Sequence, residues 1–325
     1  MKKLVISVVT LGMAFGLSSA IEAGHAQEAE AVEIAEAVAA AEVVDVVEAV
    51  EVAEAVEVAE AASEFKPSVV VAMEDPANWR EVDPENLIIF ETTKGRILIE
   101  AFPEIAPIHA TQFRTIVRSG DYDGTPFHRV IDGFMAQGGN ILAHHGRDTG
   151  LPNLQAEFDF RRNPAEMKLD FIGGSETGSQ GYYNGLPINT QTSWFAELSH
   201  DGRVASNIPH CAGIVSTARV DGDVNSGNSQ FFLMRGHTPN LDHQYSPWGR
   251  IVDGEKIPVE MKVGDPQVVD PDILTSARLA ADITLDKRPR VWVQRTDGPL
   301  FEAEIADADR GDICARPSVP SIVHN

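Results

Sequence analysis

The sequence contains no cluster of basic residues. Its 325 residues include 26 Lys and Arg against 49 Asp and Glu, which gives a formal net charge of −23 at pH 7. A nucleic-acid-binding surface needs a basic patch or stripe that neutralises phosphates. The charge balance therefore argues against nucleic acid as the main partner.

The sequence also lacks the short motifs of several enzyme classes. No G-x-S-x-G, phosphate-binding loop or H-E-x-x-H occurs, so a hydrolase or nucleotide-binding protein has no support. The adjacent His144 and His145 would point to opposite faces of a strand and are interpreted as surface residues. His200 and His210 have no cysteine or carboxylate at the spacing of a metal site. We therefore expect no metal and no cofactor.

No apolar run is long enough to favour a membrane span. The run Leu4–Leu17 has 14 residues, whereas a spanning helix needs about 20. A Lys-Lys pair precedes the run, and small residues ending at Ala20 and at Ala26 offer two cleavage sites. The pattern predicts a secretory signal peptide over residues 1–26, with an uncleaved anchor as the alternative. Because no cysteine lies near either site, a lipid-modified cysteine is excluded.

Residues 27–66 form an acidic segment of Ala, Glu and Val. Residues 27–65 hold twelve acids and no Lys or Arg, and from Glu30 to Glu60 an acid recurs at every third position except Ala39. This spacing would spiral the acids around a helix and leave no fixed apolar face. We predict a low-complexity linker. The alternative is a docking segment for a basic or apolar partner in the cell envelope.

The chain has two cysteines, Cys211 and Cys314. In an oxidising compartment they could form a disulfide that ties the C-terminal region to the central domain. Two unpaired thiols are the alternative.

The central part of the chain reads as short strands separated by turns. Leu87–Thr92 and Arg96–Phe102 predict a hairpin, and a helix fits between Pro107 and Gly120. Further predicted strands are Phe127–Ile131, Phe134–Gln137, Ala156–Phe160, Gly213–Arg219, Ser229–Arg235 and Pro247–Val252. Many short strands of this kind favour an antiparallel barrel or sandwich.

Two other regions are less regular. Residues 161–208 are rich in Gly, Ser, Asn and Thr, which predicts a long surface loop. After Gly254, Lys256–Val263 and Asp272–Ala281 are predicted as helices, and the last dozen residues as a tail. Arg290–Arg295 and Leu300–Ile305 are predicted as a hairpin. The strand at Arg290–Arg295 could close the barrel or belong to an appended hairpin.

The stretch FHRVIDGFMAQGG, residues 127–139, places Arg129 among large apolar side chains. That mixture predicts the wall of an apolar pocket that holds one fixed positive charge. Together with SQFFLMRG at 229–236 and YSPWGRIVDG at 245–254, it resembles the cyclophilin family of peptidyl-prolyl cis-trans isomerases. The resemblance runs from about Asn86 to Gly254.

The resemblance implies a mainly β fold. We expect a closed antiparallel β-barrel of about eight strands, capped by helices, in a domain spanning residues 67–254 with a loop insertion at 161–208. Residues 255–325 would form a C-terminal extension that could supply the last barrel strand. The combination is most similar to exported bacterial members, so we expect a periplasmic, monomeric protein. Its expected partners are unfolded or exported polypeptides that contain proline.

The resemblance also implies roles for individual residues. Arg129 matches the catalytic arginine, which would stabilise the twisted amide. The positions implied to bind substrate are His128, Phe134, Met135, Gln137, Ala218, Arg219, Gln230, Phe232, Leu241 and Tyr245. Asn240 stands where many members have a Trp that contacts cyclosporin, which leaves sensitivity to that drug open. A periplasmic chaperone or peptide-binding module with little turnover is the alternative function.

Overall fold

The computed structural model describes residues 67–175, 178–306 and 311–325. The predicted signal peptide and acidic linker lie outside the described residues. The α-helices are α1 Pro67–Glu74, α2 Pro107–Ser119, α3 Ile141–His145, α4 Phe195–Leu198, α5 Lys256–Glu260 and α6 Pro299–Ala306. Short 3-10 turns lie at Pro239–Leu241, Ala280–Asp282 and Ile313–Ala315. None of the helices in these ranges is both long and apolar enough to cross a membrane.

The strands in chain order are β1 Trp79–Glu81, β2 Leu87–Thr92, β3 Gly95–Ala101, β4 Thr125–Pro126, β5 Arg129–Ile131, β6 Met135–Gly138, β7 Phe160–Arg162, β8 Asp170–Gly174, β9 Gly178–Tyr183, β10 Leu186–Gln191, β11 Val204–Asn207, β12 Ile214–Thr217, β13 Phe231–Met234, β14 Pro247–Asp253, β15 Ile273–Leu279, β16 Arg290–Gln294 and β17 Ser321–His324. They form three antiparallel sheets of nine, five and three strands.

The largest sheet has the order β4-β15-β2-β3-β14-β12-β13-β6-β5. Its two terminal strands, β4 and β5, are separated in the chain only by Phe127 and His128. The sheet must therefore curl until its ends come together, and a bridge between Val130 and Gly264 adds to this closure. The predicted mainly β, antiparallel, barrel-like fold is confirmed.

The interior of this sheet is apolar and is covered at one side by α2. Phe113, Ile116 and Val117 are buried on the inner face of the helix, and the Phe113 ring stacks on Trp248 with centroids 4.4 Å apart. The helix begins at Pro107, whose missing N–H would have no partner in a first turn. It ends at Gly120, where the left-handed φ of 76° suits glycine. The predicted helix and the β2–β3 hairpin are both confirmed.

The prediction of a long loop over residues 161–208 is wrong. The region holds most of a second sheet, with the order β7-β11-β10-β9-β8. Its first strand also begins later than predicted, at Phe160 rather than Ala156. The sequence did not predict this sheet because polar residues and glycine occupy positions where a half-buried strand normally alternates apolar and polar residues. We call residues 160–207 the insertion.

The prediction of a helix over Asp272–Ala281 is also wrong. The residues form β15, which pairs with β2 and β4. Leu274 and Ala277, three residues apart, are both buried, and this spacing imitates one face of a helix. The pairing of β15 with β2 shifts register between Leu274 and Ser276. This irregularity interrupts the alternation of buried and exposed side chains, so the two buried residues are three positions apart instead of two.

The predicted hairpin of Arg290–Arg295 with Leu300–Ile305 is wrong in its second half. The latter residues lie in α6, whose first residue is Pro299, a favoured residue at a helix start. The partners of β16 are β1 and β17, so it belongs to a separate three-stranded sheet and not to the barrel. The predicted tail supplies β17. The predicted helix over Lys256–Val263 is confirmed only as the shorter α5.

The two cysteines form a disulfide. Cys211, just before β12, is bonded to Cys314 in the last 3-10 turn, 103 residues away in the chain. The disulfide, and not the alternative of two unpaired thiols, is therefore present and links the central sheet to the C-terminal region.

Candidate active site

Arg129 lies on β5, the terminal strand of the large sheet. Its side chain is 35% exposed, and Nε donates a 2.8 Å hydrogen bond to Oδ1 of Asp265. Within the described residues, Nη1 and Nη2 make no hydrogen bond. Because Asp265 holds only the inner nitrogen, the outer edge of the guanidinium can bind a ligand.

Gln137 lies directly across from Arg129 on the neighbouring strand β6. Its Nε2 donates to Oε1 of Gln230 at 2.9 Å. The main-chain carbonyl of Gln230 accepts from the N–H of Ala218 at 2.9 Å. These bonds set two carboxamides in a row beside the arginine and connect them to Ala218.

The apolar candidates lie in one continuous cluster. Met135 and Phe232 are buried, at 2% and 4% exposure, and the half-buried Phe134, Leu241 and Tyr245 pack against the same cluster. Phe232 pairs with Gln137 across β13 and β6. The carboxamides beside Arg129 and these apolar side chains are therefore joined across β13 and β6.

Arg219 and Tyr245 form the outer rim of the cluster. The Arg219 guanidinium carbon lies 4.6 Å from the centre of the Tyr245 ring, and Nε donates to the carbonyl of Gln244 at 3.0 Å. The Tyr245 ring meets the Phe232 ring edge-on at 5.5 Å. The cation–π contact holds Arg219 against the aromatic rim. Asn240, in place of a large aromatic residue, is exposed on the 3-10 turn that carries Leu241.

His128 lies between β4 and β5, next to Arg129. Its carbonyl accepts from the N–H of Val268 at 2.9 Å. Burial lowers the pKa of the imidazole, and the nearby charge of Arg129 lowers it further, although bonds to the Pro126 backbone and to Gln230 oppose the shift. The lowered pKa favours the neutral ring at pH 7.

Two features of the site were not found from the sequence. The first is Asp265, which lies 136 residues from Arg129 and outside the three recognisable blocks. No spacing rule indicates such a partner. The second is a buried chain of three polar side chains behind Phe232: His210 Nδ1 lies 2.8 Å from Asp242 Oδ1, and Ser216 Oγ lies 3.0 Å from His210 Nε2.

The Ser216–His210–Asp242 chain has the connectivity of a hydrolase triad, but it cannot act as one in this arrangement. Ser216 and His210 are both fully buried, so an ester or amide cannot reach the hydroxyl. The His210 ring instead stacks on the Phe232 ring, with centroids 6.1 Å apart. The main-chain N–H of His210 also donates a 2.8 Å hydrogen bond to Asp242 Oδ1. The three hydrogen-bonded side chains therefore support Phe232 from behind, within the apolar cluster.

One group of potential metal ligands occurs in the described ranges. His237 Nδ1 lies 3.1 Å from Asp312 Oδ2, and Cys314 is close to both. The Cys314 sulfur is bonded to Cys211, so it cannot act as a thiolate ligand. The remaining two side chains, His237 and Asp312, form a polar contact at the surface.

The comparisons with known proteins agree on one family. The family model described as cyclophilin type peptidyl-prolyl cis-trans isomerase/CLD matches residues 87–277. That range extends past Gly254 and includes the first five residues of β15.

Three similar proteins illustrate the agreement. The probable peptidyl-prolyl cis-trans isomerase of Brucella abortus (strain 2308) is 34% identical over 204 residues, which cover 62% of this chain and 85% of that protein. The putative thylakoid lumen peptidyl-prolyl cis-trans isomerase of Synechocystis sp. is 28% identical over 212 residues, which cover 63% of this chain and 51% of that protein. The crystal structure of the cyclophilin AquaCyp293 from Hirschia baltica has 46% identity and a TM-score of 0.76, and covers 80% of this chain and 97% of that chain.

Proposed function

The chain belongs to the cyclophilin-type peptidyl-prolyl cis-trans isomerases, and we propose that Arg129 is its catalytic residue. The neighbouring apolar cluster would bind the proline ring. The observation that carries the proposal is the position of the Arg129 guanidinium, held at Nε by Asp265 with Nη1 and Nη2 left for a ligand. It sits one strand away from Gln137 and two from Phe232.

The reaction needs no nucleophile. Rotation about an X–Pro bond is opposed by a barrier of about 18–20 kcal/mol, which comes from amide resonance. The enzyme must bind the twisted amide more tightly than either planar isomer. In the twisted form the nitrogen gains a lone pair, to which a guanidinium can donate a hydrogen bond. It can equally stabilise the carbonyl oxygen as that oxygen moves.

The other residues position the substrate. Asp265 fixes the direction of the rigid Arg129 fork through its bond to Nε. Met135, Phe232 and Leu241 would hold the proline ring by apolar contact, and Gln137 and Gln230 would bond to the peptide backbone. The remaining rim residues would bind the flanking residues: His128, Phe134, Ala218, Arg219 and Tyr245.

The substrates we propose are exported polypeptides in the periplasm. The Leu4–Leu17 run with its preceding lysines supports export, and one relative is named for a thylakoid lumen. We propose that residues 1–26 are a cleaved signal and 27–66 a linker. The isomerase domain would span 67–254, and the extension 255–325 would add the barrel strand β15 to it. The linker could bind an envelope partner.

The decisive experiment compares the rate of proline isomerisation in a short peptide for wild type, Arg129→Ala and Arg129→Lys. Removing one preorganised donor from a transition state costs on the order of 100-fold in kcat, so we expect Arg129→Ala to lose about that much. Arg129→Lys should fall in between, because lysine keeps the charge and loses the fork.

Arg147→Ala is the matched control, since Arg147 is an exposed arginine paired with Asp121 away from the cluster. It should keep the wild-type rate. Wild-type turnover by Arg129→Ala would remove the proposed mechanism.

A peptide-binding chaperone with little turnover is the second candidate. It is favoured by half-exposed apolar and aromatic side chains at the rim, including Phe134 and Tyr245. Suppression of client aggregation that survives Arg129→Ala would support it. Failure of wild type to hold unfolded clients would exclude it.

A further inference from the structure

The insertion carries a polar groove that no part of the proposed mechanism uses. The groove has a volume of about 390 Å³ and lies over β9, β10 and β11. Asp159 and His243 stand at its rim, where His243 Nδ1 lies 2.5 Å from Asp159 Oδ1.

Three carboxamides form a row across the floor of the groove. Asn189 on β10 pairs with Asn207 on β11 and with Gln180 on β9. Directly paired residues in antiparallel strands point to the same face of the sheet. Gln180 Nε2 donates to Asn189 Oδ1 at 3.0 Å, and Gln191, two residues after Asn189, lines the same groove.

Asn207 is the member of the row that points to a missing ligand. The residue is 5% exposed, and its Nδ2 has no hydrogen-bond partner within the described residues. A buried donor without a partner destabilises a protein, so native structures rarely keep one. A ligand carbonyl placed against Asn207 would satisfy it.

Residues that line the groove are close in sequence to residues of the proposed proline-binding cluster. His243, at its rim, lies between Leu241 and Tyr245 of that cluster. At the other side, the chain after Asn207 leads within three residues to His210, whose ring stacks on Phe232. The same segment of a bound polypeptide could therefore meet both sites.

The chemistry of the groove selects one kind of ligand. Carboxamides offer one donor group and one acceptor, as the peptide backbone does. The floor carries no formal charge. It fits an extended peptide segment with uncharged polar side chains better than an apolar or highly charged segment.

We propose that this groove is a second substrate subsite, which binds the uncharged polar residues that flank the isomerised proline. The proposal rests on the proposed isomerase function and gives the insertion a role in substrate selection. Its ligand is the substrate's own backbone together with Asn, Gln, Ser or Thr side chains.

The test measures dissociation constants by fluorescence anisotropy for a core peptide of four residues around one proline. Two longer peptides carry a five-residue Ser/Asn/Gln extension on the N-terminal or the C-terminal side, and two others carry apolar extensions of equal length. We expect one polar extension to tighten binding about tenfold, as one or two added hydrogen bonds would. The apolar extensions should not.

Two variants and a control locate the effect. Asn207→Leu keeps the side-chain volume and removes the donor, and Asn189→Ala removes a more exposed carboxamide from the same row. Each should remove most of the tenfold gain. Asn153→Leu changes an exposed asparagine outside the groove and should leave the gain intact.

Equal binding of core and polar-extended peptides by wild type would overturn the proposal. So would an equal gain from the apolar extensions, or a gain that survives both Asn207→Leu and Asn189→Ala. Isomerisation of the core peptide by wild type is measured separately. Its absence would count against the proposed function, while the dissociation constants would still decide on the groove.

Discussion

The barrel and the insertion are both antiparallel sheets, but they bury different side chains. Aromatic rings fill the barrel, whereas the insertion buries an arginine beside its apolar residues. Inside the barrel, the aromatic rings of Phe113, Phe231 and Trp248 are fully buried and pack against one another. Inside the insertion, Arg162 is 2% exposed. Its guanidinium donates to the Met167 carbonyl at 2.9 Å and to the Thr190 hydroxyl at 3.3 Å.

Apolar burial and hydrogen bonds to a buried charge stabilise a sheet in different ways. Apolar burial contributes roughly 25 cal/mol per Å² and requires no particular direction. A hydrogen bond contributes a net of only about 0.5–1.5 kcal/mol and depends on geometry. The barrel should therefore be the stable frame that keeps Arg129 in place. The insertion should open more easily, which suits a surface that selects substrates.

The largest expected effect comes from breaking the barrel interior. Phe113→Ala should lower the free energy of unfolding by about 3–5 kcal/mol, because a fully buried ring leaves a cavity against Trp248. Chemical denaturation measures the loss. Phe195→Ala is the control, since this half-buried ring lies on α4 of the insertion and stacks on Trp194. A similar loss in both variants would contradict the contrast between the two regions.

The second effect should be confined to the insertion. Arg162→Ala removes bonds from a charged donor, each contributing about 1.5–3 kcal/mol, and should speed amide hydrogen exchange in β10 and β11. Exchange in β2 and β3 should stay unchanged. Arg161→Ala removes a neighbouring, exposed ion pair with Asp201 and should have little effect. Equal acceleration in both sheets would show that they unfold as one unit.

The smallest effect concerns the joint between the two regions. Glu157, three residues before β7, accepts hydrogen bonds from the N–H groups of Ile108 and His109 at the start of α2, and lies 2.8 Å from His109 Nδ1. Burial opposes ionisation, but these bonds outweigh it and lower the pKa of the Glu157 carboxyl. Glu157→Gln should lower the free energy of unfolding at pH 7 by about 1 kcal/mol.

The pH dependence of that loss follows from the lowered pKa. The contribution of Glu157 is fully present above the unfolded pKa, near 4.5, and disappears as pH falls through the lower folded value. The stability curves of wild type and Glu157→Gln should therefore converge in acid. Glu166→Gln, at an exposed site in the insertion, should follow wild type throughout. A gap that stays constant with pH would exclude the ionised carboxylate as its cause.

Local patterns were enough to predict much of the barrel and the strands that carry Arg129, Gln137 and Phe232. Turn residues at Thr93-Lys94-Gly95 located the β2–β3 hairpin, and Pro107 with Gly120 bounded α2. The three recognisable blocks put Arg129, Gln137 and Phe232 on strands that pair. These features depend on residues close together in the chain, where turn chemistry and spacing act directly.

The sequence blocks were enough to predict that Gln137 and Phe232 belong to the same site as Arg129, which remains a prediction. Three other features depend on contacts between distant parts of the chain: Asp265 bonds to Arg129, β15 pairs with β2, and residues 160–207 contain a sheet. The reason is that strand partners are chosen by backbone hydrogen bonds, which every residue type except proline can form. Such pairings leave no residue signature, and in the insertion even the apolar alternation is missing. The carboxamide row and the buried Arg162 emerge only when distant strands are placed side by side.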